Sequence, residues 1–377
     1  MKKLGIYIHI PFCIQKCMYC DFCSFPKSEE GLIEGYVSAL CRDIESRAAD
    51  CLGYTVDTVY FGGGTPTLLP INEFERIIDT LRKNFCIDTD CEISSECNPA
   101  TVDLDYLLKL REIGVNRLSI GLQSSNDMEL RALGRIHSYS DFVSTYNDAR
   151  KAEFENISAD LMYGIPYQTA DSFKKTLSDV VSLAPEHISA YGLKIEEGTP
   201  FFKMADELVL PDEDAEYEMY TMCTDFLAEN GYDKYEISNF SRKGYECRHN
   251  IKYWNGDEYL GFGISAHSYF GGERFSNSRD IEAYIKGLDV TEERRVITPR
   301  ERMAEYVMLR MRLKAGVEHK AFFERFGRDF SEIYGYRLEK YAKDGYVRQT
   351  AGNTFFSDKG FFVSNFILSD ILDFEAL

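Results

Sequence analysis

The sequence predicts an α/β fold: a partial (β/α)6 barrel followed by a helical, winged-helix-like module. Three observations carry this. Short apolar strands alternate with amphipathic helices over the first 200 residues, which implies a parallel sheet with right-handed crossovers. Polar or glycine-rich residues fall at nearly every predicted C-terminal strand end, where barrel enzymes gather their chemistry. Past about Thr298 the pattern turns to helices and one hairpin.

The first strand is read at Leu4–Ile10, where Leu4, Ile6, Ile8 and Ile10 alternate with less apolar neighbours until Pro11. Further strands are read at Val56–Phe61, Cys91–Ser95, Val115–Gly121, Ile157–Met162 and Ile188–Leu193. Helical periodicity covers Glu29–Cys51, Asn72–Asn84, Asp103–Ile113, Asp127–Leu133, Tyr139–Glu153 and Asp171–Ala184. A connection at Met204–Pro211 leads to an acidic helix, Asp212–Asn230, closed by Gly231. The last module reads as helices Pro299–Leu313, Lys320–Phe326 and Ser331–Asp344, a hairpin at Tyr346–Arg348 and Thr354–Phe356 turning at Gly352-Asn353, and a final helix Asp358–Leu372. This gives a barrel core over 1–205, a barrel extension over 206–297 and a C-terminal module over 298–377.

The 377 residues contain 11 cysteines, an odd number without a disulfide-framework pattern, which suits a reducing compartment. No apolar run is long enough for a membrane span, and no signal-peptide pattern opens the chain, so a cytoplasmic location is expected. A formal charge of −19 argues against a nucleic-acid partner.

Beyond the first strand, Cys13, Cys17 and Cys20 follow with three and then two residues between them. Thiolates so close can converge on one soft-metal centre. Three ligands on a four-iron cluster would leave one iron open, as a reactive site requires. Two other readings stand beside this: a structural four-cysteine zinc site completed by Cys23, and a cluster of buried thiols. The second strand runs into Gly62-Gly63-Gly64-Thr65-Pro66-Thr67, whose backbone can approach a ligand closely. Glu96 and Asp160 enter otherwise apolar strands, which ordinary turn composition does not explain.

The cysteine spacing, with its flanks YIHIPFC and YCDF, resembles the radical S-adenosylmethionine (SAM) superfamily. Within it the flanks resemble the branch of oxygen-independent coproporphyrinogen III oxidases and HemW-type haem chaperones. The resemblance implies Cys13, Cys17 and Cys20 as ligands of a [4Fe-4S] cluster whose open iron is chelated by SAM. It implies Tyr7 beside the cluster, Gly63, Gly64, Thr65 and Thr67 around the methionine part, and Glu96, Gln123, Arg135 and Asp160 as further SAM contacts. The chemistry implied is reductive cleavage of SAM to a 5′-deoxyadenosyl radical.

Tyr235–Phe240 resembles a segment of the same branch, and His249–Trp254 matches the HNxxYW pattern of its chaperones. One of six histidines and the single tryptophan lie in this hexapeptide. The resemblance implies haem as ligand with His249 as its contact, ahead of His267, Cys247 and Tyr253; a packed, hydrogen-bonded barrel surface is the alternative. Two functions follow. One is a haem chaperone that delivers haem to acceptor proteins, respiratory ones among them; a homodimer stays open. The other is a coproporphyrinogen III oxidase. The oxidases carry a fourth cysteine one residue beyond the third, where this chain has Phe22, so the chaperone is preferred.

Overall fold

The computed structural model describes residues 1–26 and 31–372. Six parallel strands form the predicted barrel wall: β1 (Lys2–Ile10), β2 (Tyr54–Gly63), β3 (Ile87–Cys97), β4 (Arg117–Gln123), β5 (Ile157–Tyr163) and β6 (His187–Gly192). They lie side by side in chain order. Every residue of β4 is buried, as a parallel strand covered on both faces requires.

The crossover helices lie on the outside. Helix α1 is Leu32–Arg47, followed by a 3₁₀ turn over Ala48–Cys51. The predicted start of this helix, at Glu29, lies outside the described residues. Helix α2, Ile71–Asn84, buries Phe74, Ile77, Ile78 and Leu81, the one-sided stripe that its sequence spacing predicts. Helix α3, Leu104–Glu112, starts at Asp103, whose side chain accepts from Tyr106 N. Helices α4 (Asp127–Ala132), α5 (Tyr139–Lys151) and α6 (Ala170–Leu183) complete the set. Capping boxes at Ser138–Asp141 and Thr169–Ser172 fix where α5 and α6 begin.

The extension lengthens this same sheet at both edges. Strands β7 (Asp233–Lys234) and β8 (Asn239–Ser241) join beyond β6, with β8 antiparallel to it. On the other edge β9 (Tyr259–Phe262) runs parallel to β1, pairing Tyr7 with Gly261. The antiparallel strands β10 (His267–Phe270), β11 (Glu273–Asn277) and β12 (Thr291–Val296) follow, giving this sheet twelve strands among the described residues. The sequence reading assigned none of β7 to β12: β9 is four residues with an internal glycine, and β12 is the polar edge run TEERRV. Tyr36 on α1 ties the two central strands together, donating to His9 O at 2.8 Å and accepting from Ile264 N. Helix α7 (Glu213–Glu229) precedes β7, and the short helix α8 (Arg248–Asn255) links β8 to β9.

A second apolar core gathers Val307, Phe322, Tyr334, Leu338 and Ile367 from the C-terminal helices, with Tyr220 of α7. Helix α9 (Pro299–Arg310) opens with a Thr298–Glu301 capping box. A three-stranded sheet of β13 (Val317–Glu318), β14 (Val347–Gln349) and β15 (Asn353–Phe356) completes a winged-helix-like module. Asn353 is already in its strand, paired with Glu318, so the hairpin turns one residue earlier than expected. The final helix is broken at Val363 into Asp358–Phe362 and Ser364–Ile371.

One close approach positions the mouth of the barrel. Gly64 N donates to Ile10 O at 2.8 Å and Thr65 N to Phe12 O at 2.7 Å, clasping the glycine loop onto the start of the cysteine loop. A Cβ at Gly64 would lie 2.6 Å from Phe12 O and 2.9 Å from Phe12 N, both backbone atoms. Gly64→Ala is therefore expected to destabilise the protein by about 1–3 kcal/mol, measured by urea denaturation, and to lower the iron retained on reconstitution.

Candidate functional site

At the C-terminal ends of the strands lies a cavity of about 330 Å³, lined among others by Cys13, Cys17, Cys20, Glu96, Arg135 and Asp160. The cysteine loop is fastened before it reaches this cavity. Met18 N donates to Leu133 O at 3.0 Å and Phe201 N to Met18 O at 3.0 Å. Met18 and Tyr19 also pack on the small core of Leu133, Met162, Ile165 and Phe201. Burial pushes the Cys13 and Cys20 thiols up, Cys20 to about 11. Such thiols become thiolates at neutral pH only with positive charge bound to them, which is what metal ligation supplies. Cys23 does not line the cavity; it is buried in the main apolar core, and its carbonyl is bonded by His9 Nε2 at 2.9 Å.

Opposite the cysteines stands an acidic wall. Glu96 accepts from Tyr60 Oη at 3.1 Å and from Gly63 N at 3.2 Å. Burial, with the Asp160 charge adding to it, pushes its carboxyl up to about 7. Asp160 accepts from Ser119 Oγ at 2.8 Å and Ser158 Oγ at 2.9 Å, and burial raises it as well. Gln123 has φ of 72° at a register shift that ends β4. Left-handed backbone at a non-glycine residue is uncommon and costs strain, which collects at ligand sites.

Arg135 supplies the cation. Its Nη2 donates to Gly121 O at 2.5 Å and Asn98 Oδ1 at 2.8 Å, while Nη1 lies 3.5 Å from Cys17 Sγ. A Cβ at Gly121 would come within 2.9 Å of Arg135 Nη2, so glycine there makes room for the guanidinium. Asn98 also donates to Thr65 Oγ1 at 2.6 Å and thereby joins the glycine loop to Arg135. Asn98 is not among the candidates named from the sequence. Its signal was available: it is polar and lies two residues beyond Glu96, on the same side of the extended chain.

A guanidinium for a carboxylate, paired carboxylates for ammonium and hydroxyl groups, and three thiols at the rim form a donor set that fits SAM on a three-cysteine cluster. Cys13, Cys17, Cys20, Gly63, Gly64, Thr65, Glu96, Gln123, Arg135 and Asp160 all line the cavity. Two expected residues stand behind it. Tyr7 packs on Tyr60 with ring centroids 6.4 Å apart and its hydroxyl 3.0 Å from His9 Nδ1. Thr67 is buried in the 3₁₀ turn Pro66–Leu68.

His249 lies toward the opposite end of the barrel. Helix α8 crosses beneath the sheet, and Glu92 of β3 accepts from Arg248 N at 3.1 Å and His249 N at 3.2 Å, capping it from inside. Lys252 Nζ pairs with Asp57 Oδ1 at 2.8 Å. His249 is 1 % exposed. Its Nδ1 is 2.9 Å from Thr58 Oγ1 and its Nε2 is 2.8 Å from Tyr253 Oη. An iron ligand needs a free ring nitrogen, and here both are engaged. In this arrangement His249 is a packed, hydrogen-bonded residue. Of the hexapeptide, Tyr253 also lines a pocket, at the C-terminal end of α8.

Comparison with known proteins follows the same two ends. Residues 7–180 match the Radical SAM superfamily and residues 297–363 match the HemN C-terminal domain. The chain is 34% identical to the Heme chaperone HemW of Bacillus subtilis over 97% of its own length and 98% of that protein. It is 33% identical to the Heme chaperone HemW of Escherichia coli, covering 93% of each. Among solved structures it resembles coproporphyrinogen III oxidase (HemN) from Escherichia coli, a radical SAM enzyme, with a TM-score of 0.87 and 25% identity over 99% of this chain and 91% of that one.

Two outcomes follow from the geometry. Anaerobically reconstituted protein should hold about four irons per chain, with Cys13→Ser, Cys17→Ser or Cys20→Ser losing most of it and Cys23→Ser keeping it; equal loss in Cys23→Ser would defeat the three-ligand arrangement. The second concerns pH. In an unfolded chain the imidazole protonates near pH 6.5, whereas burial first, then the nearby Lys252 and Arg117 charges, lower His249 to about 3. The folded state thus binds fewer protons across that window, so stability is lost as pH falls through it. His9, His137 and His187 are lowered as well and act in the same direction. Urea midpoints measured from pH 7 to pH 5 should fall in the wild type and fall less steeply in His249→Gln.

Proposed function

The chain belongs to the HemW family of radical SAM proteins, and from that premise we propose that it is a haem chaperone, binding haem and a SAM-ligated [4Fe-4S] cluster and passing haem to acceptor proteins. The observation that carries this reading is the full-length likeness to proteins named haem chaperones, at identities of 34% and 33%.

Under this reading Cys13, Cys17 and Cys20 hold the cluster, and SAM lies between Arg135 and the Glu96–Asp160 wall. When bound, the pair supplies one-electron chemistry to whatever the mouth admits. The protein's own part is positional. The clasp at Gly64 sets the loop, Asn98 sets Arg135 by a 2.8 Å bond, and Tyr60 sets Glu96. With Glu96 near 7, a cationic ligand group arriving beside it favours the ionised carboxylate.

The likeness to the HemN structure favours a second reading, oxidative decarboxylation of coproporphyrinogen III. Against it stands Phe22, which is 66% exposed where the oxidase signature has cysteine. A cytoplasmic location accords with both readings; among the described residues no helix is long and apolar enough to cross a membrane.

Reconstituted protein incubated anaerobically with haem should take up about one haem per chain, read from the Soret band. With coproporphyrinogen III, SAM and reductant, mass spectrometry should find no vinyl-bearing product; its appearance would establish the oxidoreductase instead. Glu96→Ala and Asp160→Ala should weaken SAM binding about tenfold at near-normal iron content, and unchanged affinity in both would remove the assignment of the mouth.

A further inference from the structure

At the C-terminal end of α8 lies a second pocket of about 150 Å³ between the barrel extension and the C-terminal module. Its walls are rings: Tyr253 and Tyr259, edge-to-face at 4.6 Å, with Tyr269 and the buried Tyr306. Its cations are Arg274, Arg302 and Arg325. Arg325 is already committed, donating to Asn255 O at 3.0 Å and Gly256 O at 2.8 Å at the end of α8. Arg274 spends Nη2 on Glu305 Oε2 at 3.1 Å, but its Nε is buried without a hydrogen-bond partner among the described residues. Arg302 is exposed at the rim and makes no side-chain hydrogen bond or ion pair among the described residues. Asp257 and Glu305 are the opposing carboxylates, so three cations face two anions.

Flat apolar faces with unspent guanidinium edges are the surroundings that suit an aromatic carboxylate. A buried guanidinium nitrogen without an acceptor is costly, and an entering carboxylate oxygen removes that cost. The pocket is smaller than the roughly 300 Å³ at which whole-ligand sites begin, so it accepts one edge of a large ring system and leaves the rest outside.

We infer that this pocket receives the carboxylate-bearing edge of a planar aromatic ligand, with Arg274 and Arg302 as its anion contacts. The inference rests on the haem reading, under which that edge is the pair of haem propionates. It places that edge at the C-terminal end of α8, against Tyr253.

The test compares haem with haem dimethyl ester, in which both carboxylates are masked, titrated into the full reconstituted chain. Wild-type protein should bind the ester about tenfold more weakly than haem. The double variant Arg274→Gln/Arg302→Gln should bind haem about tenfold more weakly and the ester as wild type does. Arg302→Gln alone, at an exposed position, should show part of the loss with an unchanged urea midpoint, which keeps the test independent of folding. Equal wild-type affinity for haem and ester, or unchanged haem affinity in the double variant, would overturn the pocket assignment while leaving the chaperone reading in place. Wild-type protein that binds neither compound would defeat the chaperone reading itself, and this assignment with it.

Discussion

The fold depends on how an incomplete barrel is closed, and the closure is one buried carboxylate. Glu92 points inward from β3 and accepts from two backbone N–H groups at the start of α8, at 3.1 and 3.2 Å. The N-terminal end of a helix carries unpaired donors and partial positive charge, so it suits an internal anion. The Arg117 guanidinium, 2 % exposed at the start of β4, adds a full positive charge in the same interior. Removing either partner would leave an uncompensated buried charge, which is far more costly than the pair itself. Because α8 connects β8 on one edge of the parallel wall to β9 on the other, holding it beneath the barrel also sets the return of the chain to β1. The approach is close: a Cβ on Gly5 of β1 would lie 2.9 Å from Lys252 Cδ.

Closing the far end in this way separates two chemistries that the chain carries. The mouth gathers thiols, paired carboxylates and one guanidinium; the closed end gathers rings and buried imidazole. A line of side chains nonetheless joins them. Glu96 bonds Tyr60, whose ring stacks on His249 at 5.4 Å; His249 bonds Tyr253, and Tyr253 meets Tyr259. A substitution at His249 therefore disturbs packing on both sides, whichever ligand is being measured.

Much of this was legible in the sequence. The six strands and their helices were readable because period-2 and period-3.6 patterns were strong and caps marked the boundaries. The cysteines, Glu96, Asp160 and Arg135 were readable from residue type at strand ends together with the family resemblance, and they do meet in one cavity. Which way His249 faces was not readable. A motif shows which residues recur together; it does not show which way a helix faces, and α8 turns its histidine inward because Thr58 and Glu92, 191 and 157 residues earlier in the chain, supply the partners. Strand β9 escaped for a related reason: four residues with a glycine have no pattern of their own and become a strand by pairing with β1.

The same contrast explains why the hexapeptide need not ligate iron to matter. Its histidine, its lysine and the backbone N–H groups of Arg248 and His249 each bond a barrel strand, through Thr58, Asp57 and Glu92. What those bonds accomplish is to hold Tyr253 and the turn at Gly256 in fixed register against Arg325 and Tyr306 of the C-terminal module. The N-terminal turn of α8 is thus the anchor and its C-terminal end the surface, so the part of the motif that bonds most is the part least free to meet a ligand.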